Sequence, residues 1–142
     1  MAVSRMSGIG SLAALALLGM ARAAGAASPY DGSWVTTVSC AAARDALGYS
    51  FRFVSTVTDG AIHGQRGEPG KPSSFQIDGR LGPDGSGRLY AKGYTGSKEF
   101  VPGRDTPRGT DYGYDVDARF EADRGTGVRV EGRPCTLVFE RQ

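Results

Sequence analysis

Past residue 28 the apolar side chains recur at every second position, and this alternation limits the fold more than any other feature of the chain. Short alternating runs are separated by turn dipeptides: Asp31-Gly32, Asp59-Gly60 and Asp84-Gly85. Asp78-Gly79 has the same letters but lies inside a strand-like run. The pattern predicts eight strands: 32–39, 49–58, 61–65, 74–81, 88–95, 112–121, 127–131 and 135–141. No sustained helical period follows residue 28, and only 40–47 (CAAARDAL), stopped by Gly48, reads as a short helical turn. The stretches 67–72 (GEPGKP) and 101–109 (VPGRDTPRG) read as long loops.

The same alternation assigns faces. Trp34, Thr36, Val38 and Cys40 point one way on the first strand. Tyr49, Phe51, Phe53 and Val57 share a face on the second, and Phe75, Ile77 and Leu81 on the fourth. On the sixth, Tyr112, Tyr114, Val116, Ala118 and Phe120 oppose Asp111, Asp115, Asp117, Arg119 and Glu121. Cys135, Leu137 and Phe139 line the last. One apolar and one polar face per strand is the signature of an antiparallel sheet with one side in water, which must cover its apolar face or close on itself. Large aromatics set against small Ala91, Gly93 and Ala118 favour closure into a tapering, eight-stranded up-and-down barrel.

Closure gives the two cysteines a role. Cys40 ends the first strand and Cys135 begins the last, both on the inward face. In an up-and-down barrel these strands are antiparallel neighbours, so a disulfide would fasten the seam, with a loop-entropy contribution of about 4–5 kcal/mol at most.

Residues 1–27 have the three parts of an export signal: Arg5, the apolar stretch Ile9 to Met20, and a run of small residues with cleavage sites after Ala23, Ala26 or Ala27. Cleavage after Ala27 is favoured because Ser28-Pro29 then opens the mature chain. The uncharged stretch falls short of the roughly 20 residues of a bilayer span, and no cysteine stands near the cleavage region to carry a lipid. A single domain, 28–142, is left, placed in the periplasm or outside the cell with no membrane attachment. Of 17 basic residues, Arg5 and Arg22 lie in the leader, where no acidic residue does, so the mature chain has a formal net charge of zero. That balance argues against nucleic acid as a partner.

Two resemblances rest on short motifs. Gly32-Ser33-Trp34 is similar to the G-x-W motif of the calycin barrels, lipocalins and avidins among them. That resemblance implies that Trp34 plugs one barrel end under an arginine from the final strand region, Arg133 or Arg141. Over nearly the whole mature chain, Tyr30-Asp31-Gly32-x-Trp34, Cys40, Gly48-Tyr49, Asp59-Gly60, Gly64-Gln65 and Arg133-Pro134-Cys135 resemble a family of small exported bacterial β-rich proteins of uncharacterised function. It implies export, the β fold and the cysteine pair, and no activity.

Catalytic chemistry finds little footing. His63 is the one histidine, flanked by no G-x-S-x-G string, and reads as an outward strand residue. Asp115 and Asp117 share a face with Arg119 and Glu121, which reads as a charge-balanced surface rather than a carboxylate pair at work. Metal-ligand spacing, a phosphate cradle and any cofactor motif are missing from the sequence. Arg88, Tyr90, Lys92 and Tyr94 interleave base and ring on one outward face and form a candidate binding patch. The expectation is therefore a non-enzymatic binding or interaction module for an unknown small ligand or an envelope or extracellular protein. An inhibitor presenting loop 101–109 to an extracytoplasmic hydrolase is the alternative, and a hydrolase built on His63 or the acidic face comes third.

Overall fold

A computed structural model describes residues 27–103 and 105–142. The export signal at 1–27 therefore lies outside the described residues, apart from its last one. Eight strands follow in order: β1 (Gly32–Cys40), β2 (Tyr49–Thr58), β3 (Ala61–Arg66), β4 (Phe75–Arg80), β5 (Ser86–Tyr94), β6 (Asp111–Phe120), β7 (Arg124–Arg129) and β8 (Cys135–Arg141). Each pairs antiparallel with the next, and β8 pairs with β1, closing the barrel. The expected all-β up-and-down architecture is what the chain adopts.

The turns explain how the strands meet. Asp59 and Gly60 both have positive φ (51° and 79°), the geometry of a two-residue hairpin whose twist matches that of its strands. Asp31 adds to this turn from outside. Its carboxylate accepts hydrogen bonds from the backbone N–H of Asp59 (3.0 Å), Gly60 (3.0 Å) and Ser28 (3.1 Å), so the N-terminal segment and the β2–β3 turn hold each other. These bonds, that from Gly60 first, lower the Asp31 pKa below the usual carboxylate value. Strand β7 starts at Arg124, earlier than the alternation suggests, because Glu121 N–H bonds to the Arg124 carbonyl and closes a tight β6–β7 turn.

The short helix expected over 40–47 does not form. Ala43 and Ala46 instead exchange backbone hydrogen bonds around a tight turn, with Arg44 at φ 53°. Too few residues follow the disulfide-anchored Cys40 to offset the cost of nucleating a helix, and burial of Ala46 fixes the turn.

Inward residues fill the barrel towards the Trp34 end. Trp34, Phe120 and Phe139 pack edge-to-face or tilted, with centroids 4.9 and 4.7 Å apart and essentially no exposed area. Burying a side chain such as Phe139 contributes about 1.5–3 kcal/mol. One polar pair sits inside: Thr36 Oγ1 and Ser55 Oγ, 2.7 Å apart and fully buried, satisfy each other. Gly64, opposite Ser55 in the β2–β3 register, leaves the room they need, since a Cβ there would collide with Ser55 and with the Phe53 ring. The seam closes where β1 and β8 meet: Cys40 and Cys135 are direct register partners and form a disulfide, S–S 2.04 Å.

Candidate functional site

The barrel has two unlike ends. At the end where β1 begins, the connections are short and the interior is sealed. The Trp34 Nε1–H donates to the Tyr30 carbonyl at 2.9 Å, and the Arg141 guanidinium lies over the indole, 4.4 Å from its centroid. Arg141 also donates to the carbonyls of Asp31 (2.8 Å), Pro29 (2.9 Å) and Ala122 (2.8 Å), which fixes the cation in place. Of the two arginines considered as partner to Trp34, Arg141 holds the position. Arg133 does not: it precedes β8 and sits at the other end of the barrel, 4.9 Å from the Tyr49 ring centroid. The register decides this, because Trp34 pairs directly with Arg141 across the antiparallel seam.

The opposite end is open. The β3–β4 and β5–β6 connections, with Arg133 from the β7–β8 connection, border a cavity of about 440 Å³ whose aromatic wall includes Tyr49, Phe51, Phe75, Phe100 and Tyr112. Alternation on β2 puts Tyr49, Phe51 and Phe53 in a row, successive rings 6.0 Å apart, and Phe75 meets Phe51 and Phe53 at 5.1 and 5.6 Å. On β6, Tyr112 and Tyr114 stack at 6.3 Å. Burial raises the pKa of all three mouth tyrosines, Tyr49, Tyr112 and Tyr114, so each is a neutral hydroxyl at physiological pH. The Tyr114 hydroxyl is buried with no hydrogen-bond partner among the described residues.

Three arginines stand at this end, each over a ring: Arg66 over Phe51 (4.6 Å), Arg129 over Tyr114 (4.3 Å) and Arg133 over Tyr49. Arg133 is committed to structure. It donates to the carbonyls of Ala41 (2.6 Å), Phe100 (2.7 Å) and Leu47 (2.5 Å), tying the β1–β2 and β5–β6 loops across the mouth. Leu47 N–H to the Glu99 carbonyl (2.7 Å) and Gly103 N–H to Asp45 Oδ1 (3.2 Å) add to the tie. The β5–β6 loop, the segment considered as an inhibitory projection, contributes Val101, Pro102 and Thr106 to the cavity wall.

The other candidates are dispersed. His63 is exposed on the outer wall, its Nδ1 2.6 Å from Asp78 Oδ1 on β4, and among the described residues no hydroxyl bonds to it. Asp115 and Asp117 are both exposed partners of Arg88, at 3.6 and 2.6 Å. Arg88 is thereby drawn out of the expected Arg88–Tyr90–Lys92–Tyr94 patch. Tyr90 stays exposed over Gly113, Lys92 is exposed beside it, and Tyr94 is half-buried at the cavity rim. Among the described residues no three His, Cys, Asp or Glu side chains are grouped so as to hold a metal ion.

The alternation placed the mouth aromatics on the inner face without identifying them as a site. The available signal is their density: inward rings follow one another at Tyr49, Phe51 and Phe53, and again at Tyr112 and Tyr114. Arg66 and Arg129 carried no sequence signal until the strand ends were known. Comparison with family models, curated proteins and solved structures gives no match to this chain.

Proposed function

We propose that this chain is an exported, non-enzymatic binding module that takes a small, largely apolar ligand into the barrel mouth. The observation that carries this reading is the asymmetry of the ends: packed rings around Trp34 at one, an open aromatic cavity of about 440 Å³ at the other. That volume is in the range of small-molecule sites, and a few polar groups over an apolar wall is their usual chemistry. The leader and the disulfide support a periplasmic or extracellular setting, since disulfides persist in oxidising compartments. Role as wall rather than projection makes the 101–109 loop a poor inhibitory loop, and His63 without a bonded hydroxyl makes a poor base.

The test uses N-phenyl-1-naphthylamine, a neutral apolar fluorophore. It should bind one equivalent of protein with enhanced emission. Ser97→Trp, which adds a large ring to the cavity wall at a residue whose side chain makes no capping hydrogen bond to the short 3-10 turn Lys98–Phe100 that follows it, should abolish binding while leaving the melting temperature intact. Binding that is absent in the wild type, or indifferent to Ser97→Trp, contradicts the reading.

A further inference from the structure

An arginine on the inner face of a small barrel needs water, a counter-charge or hydrogen bonds for its cation, and a half-buried one at the mouth keeps donors free for a ligand. Two arginines of this chain occupy inward register positions. On β3 the residues Ile62, Gly64 and Arg66 share the inward phase, the first two buried; on β7 the same holds for Gly125, Gly127 and Arg129. Both cations come last on their strands, at the mouth. Neither has a carboxylate partner among the described residues, although exposed arginines such as Arg88 and Arg124 do. Among the described residues each donates a single hydrogen bond, Arg66 to the Ser73 carbonyl (2.7 Å) and Arg129 to the Glu131 carbonyl (2.6 Å), which leaves other donors of a five-donor guanidinium uncommitted. The two are joined by a run of packed rings: Arg66 lies over Phe51, Phe51 meets Phe75 at 5.1 Å, Phe75 meets Tyr114 at 6.4 Å, and Arg129 lies over Tyr114. Arg129 covers the Tyr114 ring, whose own buried hydroxyl has no partner among the described residues. The one carboxylate lining the cavity, Asp111, is exposed and lies in the outward phase of β6.

From this arrangement we infer that the ligand is an amphipathic anion: a flat apolar body seated on the Tyr49–Phe51–Phe75–Tyr112 wall, with a carboxylate, sulfonate or phosphate engaged by Arg66 in the positive field of Arg129. The inference rests on the mouth being the binding site and adds the charge of the occupant. The guanidinium fork matches the geometry of a bidentate oxyanion, and the rings beneath hold both forks in place. Rings give affinity with little orientation; the cations supply orientation and discriminate against neutral molecules of the same shape.

A matched pair of probes isolates the charge. N-phenyl-1-naphthylamine and 1-anilinonaphthalene-8-sulfonate share their ring system and differ by the sulfonate. At low ionic strength the sulfonate should bind the wild type at least about tenfold more tightly, the equivalent of one charge-assisted hydrogen bond. Read as the ratio of the two probes' affinities in the same variant, Arg66→Gln should remove most of that preference, Arg66→Lys should keep part of it, and Arg129→Gln should reduce it. Arg124→Gln, at the sealed end, is the control for general surface charge and should change neither probe. Equal affinity for the two probes, or a sulfonate preference that survives Arg66→Gln together with Arg129→Gln, overturns the anion assignment and leaves the cavity reading intact. Failure of both probes to bind, or binding of both that Ser97→Trp does not affect, overturns the two together.

Discussion

Trp34 shows what a single residue could reveal before the fold was known. The plug role for Trp34 came only from the resemblance of Gly32-Ser33-Trp34 to the G-x-W motif; the indole is fully buried against Phe120. Its cation was not readable, because Arg133 and Arg141 flank the same last strand and only the pairing of Trp34 with Arg141 separates them. The polar pair Thr36–Ser55 was half legible: both positions fall in the inward phase of their strands, but nothing in the sequence paired the two hydroxyls with each other. We expect Trp34→Ala to cost about 3–5 kcal/mol in denaturant unfolding, since a large ring removed from a close-packed end leaves a cavity. His63→Ala should change stability by no more than about 0.5 kcal/mol, and probe binding not at all, because its bond to Asp78 is exposed on the outer wall. Loss of binding in folded His63→Ala would contradict the placement of the site.

At the scale of elements, the strands were legible because period two leaves few readings, whereas their ends were set by turn chemistry that the alternation does not carry. Asp59-Gly60 is the clearest turn, and its residues have the positive φ values that the dipeptide favours. Hidden from the sequence was the long-range bracing of that turn by Asp31, 28 residues away from Asp59, which gives the Tyr30-Asp31-Gly32 string a structural task. The sign of its pH dependence follows from the lowered pKa. Bonds to the charged form stabilise the fold fully above the ordinary value of 3.8 and are lost as pH falls through the lower native value. Asp31→Ala should therefore be less stable than wild type at pH about 7, and the gap should narrow as pH falls below the ordinary value of 3.8 and through the lower native one. A gap of the same size at both pH values would mean that the carboxylate charge is not what holds the turn.

The whole molecule is polarised by its connections. In an up-and-down barrel the loops after odd strands share one end, so the two glycine- and proline-bearing loops after β3 and β5 fall together at the mouth, with the β1–β2 loop and the disulfide. The position of the opening was thus implicit in the strand count, but its depth was not, because alternation tells which way a ring points and not what lies above it. The buried mouth tyrosines bear on stability in alkali. Tyr49, Tyr112 and Tyr114 have pKa values raised by burial, so the stability they allow is fully present below the ordinary tyrosine value of 10.0 and is lost as pH rises towards their native values. Tyrosinate absorbance of these three should appear in step with loss of near-ultraviolet circular dichroism. All six tyrosines ionising together while the fold persists would contradict the enclosed mouth.

A backbone and indole NMR titration with N-phenyl-1-naphthylamine reads, residue by residue, where a ligand sits. Shifts should concentrate on the cavity wall at Tyr49, Phe51, Phe75, Ser97, Phe100 and Tyr112, while the Nε1–H resonance of Trp34, the only tryptophan and bonded at the sealed end, stays where it is. Shifts gathered instead on the outer wall around Tyr90 and Lys92, or on the Trp34 indole itself, would contradict the mouth as the binding site.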